Sequence, residues 1–182
     1  MVTALKLTIG QLEALPDDNN RYELIDGELL VSKAPGTSHQ QTLGDLFGRL
    51  WNYLRGSAVG RVILTPGVVF DDYNGVIPGL VFVSAGRERI ITDRGLIDAP
   101  DLVVEVVSPG ATNSERDRQL KRQLYSVRGV REYWVVDPQL RTIEIYRQRE
   151  NALALAATLH ESDTLTSALL PGFSCSISDI FA

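Results

Sequence analysis

The chain is poor in the residues that build disulfides, redox centres and zinc sites. It has one cysteine, Cys175, and two histidines, His39 and His160, among 182 residues. A single thiol excludes an intramolecular disulfide and suits a reducing compartment. One cysteine and two histidines also fall short of a four-ligand Cys/His zinc site. No apolar run approaches the roughly 20 residues that cross a bilayer as a helix. Met1 to Gly10 lacks a basic stretch followed by a long apolar core, so neither a signal peptide nor a membrane partner is expected, and the expected location is the cytoplasm. Positive charge is in deficit, with a net −5 at neutral pH, which argues against strong nonspecific binding to nucleic acid.

What is present is the composition of an ordinary globular domain, 44% hydrophobic and 23% charged. The length fits one domain over residues 1–182. The charge is unevenly spread. Between Glu115 and Arg131 six basic and two acidic residues give +4, leaving −9 for the remainder of the −5 total. That segment reads either as a solvated helix face or as a basic wall beside a polyanion site.

The most telling stretch is Pro100-Asp101-Leu102-Val103-Val104-Glu105-Val106-Val107-Ser108-Pro109. A valine-rich run bounded by prolines reads as a strand, over Asp101 to Ser108, buried on both faces and central in its sheet. A carboxylate in such a strand is costly unless a cation or metal meets it. Next comes a polar helix from Ser114 to Arg128 carrying Asp117 and Lys121. Counting about 100° per residue, Leu120, Leu124 and Val127 define its buried face, with Asp117 and Lys121 at the border. From there a lysine can run its stem over apolar surface and deliver the ammonium into a cleft. An acid on a strand followed by a lysine on a helix is the pairing that a metal-dependent phosphodiesterase site needs.

The remaining elements follow from local signals. A short helix is predicted over residues 8–15, capped by Thr8 with Leu12 and Leu15 inward. Asp26-Gly27 between Tyr22–Ile25 and Glu28–Val31 predicts a tight β-hairpin. Ser38 reads as the N-cap of a helix to about Leu54, with Leu43, Leu46, Phe47, Leu50, Trp51 and Leu54 at helical spacing. Gly60–Phe70 and Leu80–Ser84 read as strands joined by a loop at Asp71–Gly79. Glu132–Val136 and Thr142–Arg147 read as strands joined at Asp137-Pro138. A less regular tail of strand and turn is anchored by Leu165, Leu169, Leu170, Phe173, Ile177, Ile180 and Phe181. The expected class is α/β, a mixed β-sheet flanked by helices with an N-terminal β-hairpin.

The order helix, three strands, helix, strand is also the core of the PD-(D/E)XK nucleases. The chain resembles their Uma-type restriction endonuclease family over nearly its whole length. The resemblance rests on Tyr22-Glu23-Leu24-Ile25-Asp26-Gly27-Glu28-Leu29, Ser38-His39-Gln40, and Ala99-Pro100-Asp101 through Pro109. It continues through Asp117…Lys121…Tyr125, Gly129-Val130…Glu132-Tyr133-Trp134-Val135-Val136-Asp137 and Leu170-Pro171-Gly172-Phe173.

The resemblance implies a restriction-endonuclease-like fold and hydrolysis of DNA phosphodiester bonds with Mg²⁺ or Mn²⁺. Glu105 matches the second metal-binding acid of such sites. The lysine usually two residues later is absent, because that position is Val107, and Lys121 on the helix takes its part. Glu28, His39 and Asp117 are implied supporting residues, the acids of the hairpin lying near the site. The first metal-binding Asp should follow Pro78, where this chain has Gly79, so the ion should be held weakly. Asp71, Asp72 and Glu28 are candidates to replace it. Asp101 shares the strand face of Glu105 but lies about 13 Å away along it, at ~3.3 Å per residue.

Each residue also has a plainer reading: Glu105 and Lys121 as an ion pair without metal, His39 bonding locally at the helix start, Asp117 as an i,i+4 partner of Lys121, and Tyr133 and Trp134 as core packing. For function, the rivals are a catalytically degenerate nuclease fold that binds nucleic acid or a protein, and a hydrolase of another phosphate substrate. DNA is the expected partner, and by analogy two scissile strands suit a homodimer or higher homo-oligomer.

Overall fold

The computed structural model describes residues 6–108 and 114–181, with the backbone alone for 114–117. The elements run α1 (Ile9–Leu12), β1 (Asn20–Ile25), β2 (Glu28–Lys33), α2 (Thr37–Arg55), β3 (Gly60–Leu64), β4 (Val68–Asp71), β5 (Asn74–Val76) and β6 (Leu80–Ser84). A 3-10 turn (Ala85–Ile90) precedes β7 (Ile91–Thr92), β8 (Gly95–Leu96), β9 (Leu102–Val106) and α3 (Ser114–Val127). The chain closes through β10 (Glu132–Asp137), β11 (Thr142–Arg149), β12 (Ala152–Leu159), β13 (Thr164–Leu165) and β14 (Cys175–Ser176).

Two six-stranded sheets form, where the sequence pattern suggested one. The main sheet has the order β12-β11-β10-β9-β6-β3, and the second β2-β1-β5-β4-β8-β7. The valine-rich β9 is an interior strand, antiparallel to β6 and parallel to β10. That parallel pair needs a crossover, which α3 supplies. Alternation then sorts β9 by face. Leu102, Val104 and Val106 join the core under α2 with Trp134, Val136 and the C-terminal Leu170, Ile177 and Ile180. Val103 joins the other core, with Val81, Val135, Leu124, Tyr125 and Tyr133. Glu105 follows Val103 onto that second face.

Several local expectations are corrected. The segment read as one strand over Gly60–Phe70 is broken between β3 and β4, where Pro66 cannot donate to a ladder and Thr65 turns with φ 51°. The loop between Asp71 and Gly79 contains β5. Helix α2 begins two residues early, with Gly36 at its N-cap, which leaves Ser38 inside the first turn. Helix α1 is a single turn with no fully buried residue, although Thr8 does form its capping box with Gln11. The tail after β11 carries a further strand, β12, that pairs with β11 from Ala152 to Leu159 with one bulge at Ala156. The hairpin turn is as the sequence demands: Asp26 and Gly27 have φ of 53° and 77°, the left-handed pair of a type I′ turn.

Asp101 anchors the start of β9. Its carboxylate has 0% side-chain exposure and lies 3.2 Å from Arg87 and 3.4 Å from Arg131. The Ser84 N–H and hydroxyl both donate to it at 2.9 Å. Burial alone would raise its pKa, but the Ser84 bonds and the Arg87 charge outweigh that and hold it below the ordinary value of 3.8. Its contribution is therefore present above that value and is lost as the pH falls through the lowered folded pKa. Asp101→Ala should cost roughly 2–4 kcal/mol at neutral pH, less than a fully buried pair because the arginines reach water. Urea unfolding should show the cost shrinking below about pH 4 as the wild-type carboxylate takes its proton.

Candidate active site

Helix α3 presents Lys121, Leu124 and Tyr125 to the sheet, residues three and four apart that share one face. Leu124 and Tyr125 are buried, but Val127 is 76% exposed. The inward face is thus centred between Leu124 and Tyr125, and the predicted stripe through Val127 is displaced by most of a residue. That rotation carries Lys121 from the border of the face to its interior.

The Lys121 ammonium lies between two carboxylates. Its Nζ is 2.9 Å from Glu23 Oε1 and 3.1 Å from Glu105 Oε1, with side-chain exposures of 13%, 7% and 16% for the three residues. The Tyr125 hydroxyl donates to the same Glu105 oxygen at 2.8 Å. The Ile77 N–H donates to Glu23 Oε1 at 2.7 Å, and the Arg21 guanidinium donates to the Ile77 carbonyl. Glu23 comes from β1 of the second sheet and Glu105 from β9 of the main sheet, so Lys121 ties the two sheets together at this point.

The charges are coupled. Burial opposes a charged Lys121, but the charges of Glu105 and Glu23 and their hydrogen bonds outweigh it and raise its pKa above the lysine value of 10.5. Burial raises the Glu105 pKa above 4.5, and the like charge of Glu23 adds to this against the pull of Lys121 and the Tyr125 hydroxyl. Burial likewise lifts the Tyr125 and Tyr133 hydroxyls well above the ordinary tyrosine value, with the Glu105 charge next in weight, so both remain protonated.

An open cleft of about 150 Å³ lies over this cluster, walled by Arg21, Glu23, Leu30, Ser32, His39, Glu105, Arg118, Lys121 and Tyr133 among others. His39 is 7% exposed. Burial depresses its pKa, and Arg21 adds to the effect against a backbone bond at Val106, so it is neutral at pH 7. Its Nδ1 is buried with no hydrogen-bond partner among the described residues.

Other expected site residues are placed differently. Glu28 is exposed at the turn end of the hairpin, opposite Ile25. It shares the face of Leu30 but sits two residues farther out, about 7 Å along the strand, and does not wall the cleft. The hairpin acid that does is Glu23. The Asp117 side chain lies outside the described residues. Asp71 is bound by Asn74, the Tyr73 N–H and Arg128 and, like the exposed Asp72, does not wall the cleft.

Gly79 is buried and lies outside the cleft wall. The β6–β9 ladder ends at Leu80 opposite Val104, so Gly79 lies just beyond the pairing, level with Glu105 but turned towards the core under α2. A Cβ built on it would meet Leu43 Cδ1 and the Val104 carbonyl, each at 3.2 Å. Leu43 is one helical turn from His39.

For a divalent cation the donors fit in kind, since Glu23 and Glu105 offer hard oxygens. Their Oε1 atoms already serve Lys121, which leaves the Oε2 atoms. Among the described residues, no three Asp, Glu, His or Cys side chains are grouped as ligands. The set would therefore hold a cation through two carboxylates and solvent.

A family model described as "Putative restriction endonuclease", named Uma2, matches residues 9–178. The chain belongs to this family. A solved structure, a putative nuclease belonging to DUF820 from Anabaena variabilis, superposes with a TM-score of 0.76 at 18% identity, covering 96% of this chain and 97% of that one. At that identity the likeness establishes the restriction-endonuclease-like fold and not the chemistry. No curated protein matches the sequence.

The signals that would have found the missed residues are partly visible. Glu23 lies in the Tyr22–Leu29 motif, but its choice over Glu28 depends on where the second sheet docks. Arg21, Arg118 and Tyr133 enter the wall through tertiary packing alone. Because Lys121 separates two acids, Lys121→Met should destabilise the fold by roughly 3–5 kcal/mol at pH 7 by leaving both uncompensated. In that variant the Glu105 pKa should rise further, so denaturation midpoints should recover towards pH 4–5 (about the carboxylate range) and fall as the pH rises through the raised folded pKa.

Proposed function

We propose that this chain is a divalent-metal-dependent DNA endonuclease, with activity weakened by Gly79. The observation that supports it is the Lys121 ammonium between Glu105 and Glu23 at the floor of a cleft, in a member of a family described as restriction endonucleases. Hydrolysis adds water across a phosphodiester: a bond forms from the water oxygen to phosphorus, the bond to the departing sugar oxygen breaks, and that oxygen gains a proton. Glu105 and Glu23 would hold Mg²⁺ or Mn²⁺, and a cation so held supplies Lewis-acid polarisation and a more acidic bound water.

The protein's own groups have separate tasks. Lys121 stabilises charge on the scissile phosphate or orients the attacking water. Tyr125 fixes the Glu105 carboxylate by donating to it and cannot itself take a proton. Arg21 is anchored on the Ile77 carbonyl and offers positive charge at the wall. His39, neutral and buried, shapes the wall beside Val106 without adding charge. The like charges of Glu23 and Glu105 favour uptake of a cation, since the local sum with Lys121 is −1 when both acids are ionised.

The second reading, a nuclease fold that binds nucleic acid without cutting, is favoured by Gly79 and by the two-carboxylate donor set. Calorimetric titration with Mn²⁺ separates them. Wild type should bind weakly, Gly79→Asp more tightly, and Gly79→Ala no better than wild type, which controls for the tight fit against Leu43. Cleavage of plasmid DNA should follow binding and fall at least about 100-fold in Glu105→Gln. Wild-type protein with no Mn²⁺ heat and no cleavage would favour the binding-only reading.

A further inference from the structure

A second cavity adjoins the cleft and is not used by the chemistry above. It has about 360 Å³ of space against about 150 Å³ for the cleft, and the two share Arg118, Tyr133 and Val135 as a common wall. Beyond that wall it is formed by α3 and the β10–β11 pair, through Arg122, Glu144 and Tyr146 among others.

Two donors of this cavity have capacity to spare: the Tyr133 hydroxyl, which lacks a partner, and the Arg122 guanidinium, which bonds only to Tyr146 among the described residues. The Tyr133 hydroxyl is buried and has no hydrogen-bond partner among the described residues, on a residue 1% exposed. A buried polar group without a partner is unusual and calls for an explanation. Arg122 lies with its guanidinium 5.2 Å from the Tyr146 ring centroid, stacked rather than paired with a carboxylate among the described residues. Glu144 accepts at one oxygen, Oε2, from Arg118 at 2.9 Å and from the Tyr146 hydroxyl at 2.8 Å, and the Arg118 guanidinium balances its charge. The Tyr146 ring is thereby fixed, and it holds Arg122 over the cavity. The available groups are thus one guanidinium and one neutral hydroxyl donor, the pair that receives a phosphate oxygen.

We infer that this cavity is a subsite for the backbone phosphate neighbouring the scissile one on a DNA strand, held by Arg122 and the Tyr133 hydroxyl. This rests on the endonuclease reading for the identity of the strand, but the binding itself needs no metal. The shared wall gives the strand one path, from the Lys121 cluster past Arg118 to Arg122. The basic character of α3 follows that path, while the rest of the chain is acidic.

The test is binding of a short fluorescein-labelled DNA duplex in EDTA, followed by anisotropy across a salt series. Arg122→Gln should weaken binding about tenfold at low salt and reduce the slope of log affinity against log salt by about 0.9, the value for one phosphate contact. Arg122→Lys should keep the wild-type slope. Tyr133→Phe retains the ring and should leave the melting temperature unchanged while weakening binding several-fold. An unchanged slope in Arg122→Gln, unchanged affinity in Tyr133→Phe, or no duplex binding by wild type would each overturn the subsite. Wild type that binds with the expected slopes but does not cut in Mn²⁺ would remove the hydrolysis and leave the subsite in place.

Discussion

A carboxylate in the middle of the central strand is the constraint around which this molecule is arranged. β9 is otherwise a run of leucine and valine buried on both faces, and Glu105 breaks it on the side covered by α3. Leaving that charge in an apolar layer would cost more than the strand could sustain. Lys121 answers it from the helix that β9 itself leads into, and Tyr125, one turn later, adds a hydrogen bond to the same oxygen. Because a single ammonium also reaches Glu23, the requirement extends to the second sheet. The docking of the β1–β2 hairpin, the rotation of α3 and the position of the cleft therefore follow from one buried charge.

What was legible in the sequence divides along the same line. Local signals carried their elements: Asp26-Gly27 marked the turn, the leucine spacing marked α2, and the valine run marked β9. The pairing of Glu105 with Lys121 was also visible, since a strand acid and a nearby helix lysine are constrained by short-range geometry. The second sheet was not visible. Its strands β5, β7 and β8 are two or three residues long and lie in segments rich in glycine and turn residues, so no period-2 pattern develops. Glu23 and Glu28 look alike in a hairpin, and only the antiparallel register and the docking of β1 against β5 distinguish them. Val127 misled because an apolar residue on a helix was counted inward, whereas the buried lysine and tyrosine set the true face.

Gly79 carries a different lesson. Level with Glu105 at the end of the β6–β9 ladder, it points its Cα hydrogen at Leu43 in the core under α2, the face of the sheet away from Glu105, and its surroundings leave no room for a side chain. Leu43 and the Val104 carbonyl stand 3.2 Å from where a Cβ would be, closer than ordinary van der Waals contact. The core has thus adjusted to glycine there, packing α2 onto the end of β6. A side chain at that position requires Leu43 or the Val104 carbonyl to give by a few tenths of an ångström, so any substitution there is felt in the packing of α2.

The charge arrangement of the cleft has its own logic. Two carboxylates and one ammonium leave a residual negative charge in a partly desolvated site, where burial first, and the like charge of Glu23 after it, raise the pKa of Glu105. Either a proton or a cation can relieve it, and the two compete for the same carboxylates. Outside this small pocket of negative potential the lining turns positive, through Arg21, Arg118 and Arg122. On the proposed function, a polyanion would be drawn by the outer guanidinium groups and a cation by the inner pair of acids, and the two would meet at Lys121. On that reading an acidic protein would need no broad basic face, because a few guanidinium groups, Arg21 on β1 and Arg118 and Arg122 on α3, stand beside the acids of the cleft.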